Sequence, residues 1–172
     1  IIKHFGPLRE AVIEDVKQFM FFIGESGSGK STLLKVLALM RHISKQLNLR
    51  SYLKHGNVID KTIGINMGEY LYNGGLNDYV SDKTELYYKK GDCEISYTTK
   101  GLKGTRKTIS APQLSLEKIS FLSDKRGSIA SLLANNNDGT ALGFYLAETF
   151  KDFKEAIEQI KNIEMPFLNV RY

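Results

Sequence analysis

Residues Gly24-Glu25-Ser26-Gly27-Ser28-Gly29-Lys30-Ser31 satisfy the pattern G-x-x-x-x-G-K-[ST] at every fixed position. Few strings constrain a fold so strongly, because this one works only between a buried strand and a helix. Gly24, Gly27 and Gly29 let the backbone take positive φ and curl around a phosphate, with successive N–H groups turned inward. Lys30 has the reach for terminal phosphates, and the Ser31 hydroxyl is a ligand for Mg²⁺. The positive end of the following helix dipole adds to the same site. The candidate phosphate-binding set is therefore Gly24, Glu25, Ser26, Gly27, Ser28, Gly29, Lys30, Ser31 and Thr32, with Ser31 as the metal candidate. The flanks agree with that setting. Gln18–Ile23 is an apolar run of strand length, and Ser31–Gln46 predicts a helix with few polar breaks.

Composition bounds the rest. A chain of 172 residues, 42% of them hydrophobic and 25% charged, is long enough for one domain with a core of its own. No apolar run has the length that spans a membrane, so no membrane partner is expected. The first residues carry no basic-then-apolar leader pattern. The single cysteine, Cys93, excludes an internal disulfide and fits a reducing cytoplasm; its alternating surroundings make it a packing residue. The net charge is +5, and Lys89, Lys90, Lys100, Lys103, Arg106 and Lys107 gather around two turns. Such a group suits either a hairpin edge guarded by lysines or contact with a nucleic-acid backbone. The first is favoured.

Two strand-like runs, Ile1–Phe5 and Ala11–Val16, precede the glycine loop and are joined through a Gly-Pro turn. The stretch Asn48–Asp82 is mixed, with short helices at most. Three strands follow in "ELYYKK", "CEISYTT" and "GTRKTIS", and their short connections force antiparallel pairing. "EKISFLSD" predicts a further strand and Arg126–Ala134 a short helix, and Asp138 or Thr140 is placed to cap a last helix over 141–163. On that helix Leu146, Phe150, Phe153, Ile157 and Ile160 form a narrow stripe near a 3.5-residue period.

The phrase "IKHFGPLREAVIEDVKQFMFFIGESGSGKSTLLKVLALM" is similar to the opening of bacterial SMC-like ATPases of defence and DNA-maintenance systems. The order of elements likewise resembles the first lobe of ABC-type ATPases of the SMC, RecF and OLD kind. The resemblance is specific over residues 2–40 and looser through 134. It implies an α/β P-loop NTPase fold: an ABC/SMC-like first lobe with a P-loop helix and an antiparallel β-subdomain over 1–134. A helical extension over 135–172 would lead to a second lobe. It also implies ATP and Mg²⁺ as ligands, catalytic use of Lys30, and a second copy as partner. DNA or an effector such as a nuclease would complete the assembly.

Where such ATPases place a Q-loop, this chain has Ser123-Asp124 and no glutamine. Arg126 falls where an arginine of that segment would lie. Asp124 and Arg126 are thus site candidates through resemblance alone. Gln113 precedes the strand and substitutes poorly. No Asp-Glu pair and no Ser-Gly-Gly or Ser-Ser-Gly-Glu segment occurs, and His4, His42 and His55 lie in no switch context. The expectation is a chain that binds ATP and does not turn it over alone. A complete small phosphotransferase, with Arg126 as a lid arginine, is the alternative; a non-catalytic module that binds nucleotide for structural order is a third reading. No Asn-Lys-x-Asp guanine motif supports a GTPase.

Overall fold

The computed structural model describes residues 1–58, 64–105, 107–115, 117, 120–122, 124–135, 144–159, 164–165 and 170–171. They form a mixed α/β structure in two compact units, Ile1–Ile119 and Ser120–Tyr172.

The first unit is a five-stranded antiparallel sheet covered on one face by a long helix. Strands β1 (Ile2–Phe5), β2 (Leu8–Ala11), β3 (Val80–Lys90), β4 (Cys93–Thr98) and β5 (Gly101–Lys103) lie in the order β2-β1-β3-β4-β5. The β3–β4 turn is two residues, Gly91-Asp92, with Gly91 at φ +54°, which matches the twist of a tight hairpin. Alternation sorts the two faces. Ile2, Leu86, Cys93 and Ile95 point inward, onto Val36, Leu39, Met40, Ile43 and Leu47 of helix α1 (Lys30–His55). Outward, Lys89 stands opposite Glu94, and Lys3 pairs with Glu85 at 3.4 Å, so lysines and glutamates alternate across the exposed face. Burial pushes the Cys93 thiol above its ordinary pKa. Cys93 is therefore expected to resist a thiol reagent at pH 8 in the native protein. Its modification should track the urea unfolding transition, and rapid labelling without denaturant would refute the assignment to the core.

Strand β1 carries a bulge. Its register against β3 shifts between Lys3 and Phe5, and His4 sits at φ +48°. The buried Thr84 hydroxyl donates to the His4 carbonyl at 2.6 Å, and the Ser81 hydroxyl does so at 3.1 Å. The bulge turns Phe5 fully inward, where it meets Tyr79 edge-on at 5.9 Å between ring centroids.

Several expected boundaries move. Strand β2 ends at Ala11 rather than running over Ala11–Val16, because its partner begins at Ile2, which faces Ala11. Helix α1 continues to His55, past the expected end at Gln46. A second helix, α2 (Met67–Asn73), follows, with its Asn66 cap accepting from the Glu69 N–H. The third hairpin strand is Gly101–Lys103, not 104–110. The largest departure concerns Gln18–Ile23, which is not a strand. Residues 12–23 make no backbone hydrogen bond to any other described segment.

In the second unit, α3 (Ser128–Ala134) follows a 3₁₀ turn at Asp124–Gly127, in place of a helix starting at Arg126. The last helix, α4, spans Phe144–Gln159, and β6 (Glu164–Met165) pairs with β7 (Val170–Arg171). Along the α4 stripe Phe150 is buried while Phe153 and Ile157 are exposed; Ile160 lies outside the described residues. So do the proposed caps Asp138 and Thr140, together with residues 118, 119 and 123 of the expected strand; Ser120, Phe121 and Leu122 are not in a strand.

Candidate functional site

The glycine loop runs directly into α1, as its spacing requires. Gly27 has φ +80° and Gly29 has φ +89°, while Ser28 between them is not in the left-handed region. Left-handed residues on either side of another conformation are the backbone pattern of an N–H nest, in which the Ser28 N–H is held by the Glu25 carbonyl at 3.2 Å. Gly29 is the N-cap of α1, and the first intrahelical bond runs from the Leu33 N–H to the Gly29 carbonyl at 2.8 Å. No side chain caps the helix, and no acid stands in its first turn. The N–H groups of Lys30, Ser31 and Thr32 therefore have no intrahelical acceptor, at the positive end of a 26-residue helix.

Lys30 lies across the loop. Its ammonium donates to the carbonyls of Gly24 at 2.6 Å and Glu25 at 2.5 Å, and to the Ser28 hydroxyl at 3.1 Å. Glu25, Ser26 and Ser31 are exposed and Thr32 is buried. An uncapped helix end, a nest of N–H groups and a cation at its mouth fit a polyphosphate. For Mg²⁺ the loop offers the exposed Ser31 hydroxyl, and among the described residues no group of three His, Cys, Asp or Glu is placed to hold a metal.

The segment leading into the loop is the unexpected part of the site. Phe19, Phe21 and Ile23 alternate along it at 84%, 87% and 95% exposure. Beside its first half, a groove of about 920 Å³ opens between residues 11–18, the α1 side chains Leu33, Val36, Leu37 and Met40, and the end of β3. A smaller pocket of about 130 Å³ adjoins Arg41, Lys90 and Glu117. There Glu117 accepts from Lys90 and, at 3.1 Å, from Arg41; the Lys90 hydrogen bond is the main reason its carboxyl sits below the usual range. Neither pocket is lined by residues 24–32.

The remaining candidates belong to the second unit. Asp124 and Arg126 fall in the 3₁₀ turn Asp124–Gly127, with Arg126 exposed. Gln113 is in the first unit, where its side-chain oxygen accepts from the Asp92 N–H at 3.3 Å beside the β3–β4 turn.

Sequence reasoning passed over one neighbour of the loop. The Pro7-Leu8 turn lies directly against Gly29: a Cβ on that glycine would fall 2.6 Å from Leu8 Cδ2 and 3.3 Å from Pro7 Cγ. The signal was the Gly6-Pro7-Leu8 turn itself, read only as a connection.

Among the described residues no helix is long and apolar enough to cross a membrane. No protein-family model, curated protein or solved structure matches this chain.

Proposed function

We propose that the chain is the ATP-binding lobe of an SMC-like, ABC-type P-loop ATPase, with residues 24–32 holding the phosphates. One observation carries the reading: a glycine nest with its lysine opens onto a helix end that nothing caps. In this role the amides of Lys30, Ser31 and Thr32 meet phosphate oxygens. The Lys30 ammonium exchanges its loop carbonyls for phosphate and neutralises charge there, since phosphoryl transfer depends chiefly on positioning and electrostatics. Bound Mg²⁺ would supply further neutralisation, with the Ser31 hydroxyl as its ligand from this loop.

The exposed apolar segment supports a lobe that needs a complement. A strand apolar on both faces belongs inside a sheet covered on both sides. Phe19, Phe21 and Ile23 instead face solvent, and their backbone is unpaired among the described residues. A second lobe would supply that sheet, and with it the acid pair and the signature segment, neither of which this chain carries. The signature would face the loop of a partner protomer, so that ATP closes a dimer and hydrolysis reopens it. DNA, or an effector such as a nuclease, is the partner of the closed form. Asp124 and Arg126 remain proposals for that assembled site. The same exposed segment speaks against a complete small phosphotransferase, whose loop strand would already be buried.

The test is calorimetry of the chain with ATP, ADP and GTP in the presence of Mg²⁺. Saturable ATP binding without release of phosphate is expected. Transfer of phosphate to any of a panel of nucleosides or small metabolites would favour the phosphotransferase, and no binding by any nucleotide would overturn the proposal for this chain.

A further inference from the structure

Of the three loop glycines, Gly29 is the one at which an added Cβ would meet a group from outside the loop. A Cβ on Gly24 would come nearest to Ser28 and Lys30 of the loop itself, and one on Gly27 would have nothing within 4 Å. The arm before the loop is not tied into the sheet, since residues 12–23 form no backbone hydrogen bond to another described segment. In the Cβ direction of these glycines, the group met from outside the loop is the β1–β2 turn, through Leu8 and Pro7.

We infer that Leu8 is a positioning residue for the anion site: it holds the Gly29 peptide so that the nest exists before ligand arrives. This rests on the phosphate-binding reading of the loop. Leu8 stands on a rigid base. The Gly6 N–H donates to the Tyr79 carbonyl at 2.8 Å, and Gly6 lies close against the Tyr79 side chain, where a Cβ would come within 2.8 Å of Cγ. Tyr79 in turn meets Phe5, whose inward turn is set by the His4 bulge that Thr84 holds. A line of packed groups thus runs from β3 through the β1–β2 turn to Gly29, and from there to the first free amide of α1. Gly29 at φ +89° has the conformational freedom of glycine without a side chain to fix it. The Leu33 N–H holds its carbonyl, and from outside the loop and helix it is Leu8, with Pro7, that packs against it.

Leu8→Ala leaves Gly29 room to leave the left-handed region. If the competent loop becomes a tenth of the population, apparent affinity falls about tenfold. The loss should be the same for Mg²⁺-ATP and for inorganic tripolyphosphate, because both use the loop and only one has a base. Leu8→Met, which keeps the volume, should restore affinity. Without ligand, amide exchange at residues 28–31 should quicken in Leu8→Ala while exchange in β3 and β4 stays unchanged, a contrast that a general loss of stability would not give.

Wild-type binding with Leu8→Ala within twofold of it, or exchange that quickens equally in the sheet, would overturn the inference and leave the phosphate reading standing. Absence of tripolyphosphate and ATP binding in the wild type would overturn both.

Discussion

Lys30→Ala should weaken Mg²⁺-ATP binding at least about 100-fold while leaving the fold intact. A hydrogen bond to a charged group contributes about 1.5–3 kcal/mol, and each 1.4 kcal/mol is tenfold, so loss of the phosphate contact alone accounts for about 10- to 100-fold. A second term adds to it. The Lys30 ammonium also ties together the carbonyls of Gly24 and Glu25 and the Ser28 hydroxyl. Its removal loosens the loop that presents the amides, so a more open set of conformers must be reordered on binding. The fold itself should not suffer. Lys30 is the first residue of α1, alanine is a strong helix former, and no core contact is lost. Calorimetry gives the affinity, and circular dichroism with a thermal melt gives the control. Lys30→Arg should restore only part of the binding, since a planar fork does not reproduce a compact ammonium. Affinity of Lys30→Ala within threefold of wild type would take the lysine out of phosphate contact, and the phosphate reading would lose its cation.

Phe5→Ala should cost about 3–5 kcal/mol of folding stability, the range for removing a buried aromatic. Phe5 has no exposed surface and packs edge-on against Tyr79. It also sits beside the bulge at His4, where the chain has little latitude to close a cavity: the His4 carbonyl is held by two hydroxyls and the Gly6 amide is bonded to Tyr79. With a urea m-value near 2 kcal/mol/M, the midpoint should fall by about 1.5–2.5 M. That is a large share of the roughly 5–15 kcal/mol by which such domains are stable. Phe5→Leu, which leaves most of the volume filled, should lose much less. A midpoint drop under about 0.5 M for Phe5→Ala, less than 1 kcal/mol on the same m-value, would show that the bulge is not anchored by this ring.

The β3–β4 hairpin was legible because its punctuation is local: Gly91-Asp92 falls where the chain reverses, whereas the next reversal comes at Thr99-Lys100 and Gly101 already opens β5 instead of the turn before a strand at 104–110. The loop and the start of its helix were legible for the same reason. What failed depended on partners distant in sequence. Gln18–Ile23 has a strand's composition, yet a strand exists only through pairing, and none of the described segments pairs with it. Helix α1 outran its apolar pattern because its last turns carry polar residues, the buried Asn48 and Ser51 among them, that reach across to Ile109 and Ser115. Asn48 accepts from the Ser115 N–H at 2.8 Å, Ser51 accepts from the Ile109 N–H at 3.0 Å, and the His55 ring meets the Ile109 carbonyl at 2.8 Å. A polar residue that faces inward to a hydrogen bond looks, in one dimension, like the end of a helix. The same contacts explain the misplaced third strand, since Arg50 donates to the carbonyls of Thr105 and Lys107 and so occupies groups that a neighbouring strand would use. The importance of Leu8 was hidden likewise, because nothing in a Gly-Pro-Leu turn names the glycine that it will touch.

The place of β1 in the sheet has a kinetic consequence. It lies between β2 and β3, and its Ile2 pairs with Leu86, far along the chain. The β1–β2 hairpin can form as soon as its own residues are available, but an isolated two-stranded hairpin is only marginally stable in water. It is locked only when β3 arrives, after all of α1 and α2. Contacts of such long sequence separation close slowly, because loop entropy is lost before the pairing rewards it. During synthesis, α1 therefore spends an interval with its sheet-facing residues Leu39, Ile43 and Leu47 uncovered. In that interval the chain is most exposed to association with other chains, and completion of β3 ends it.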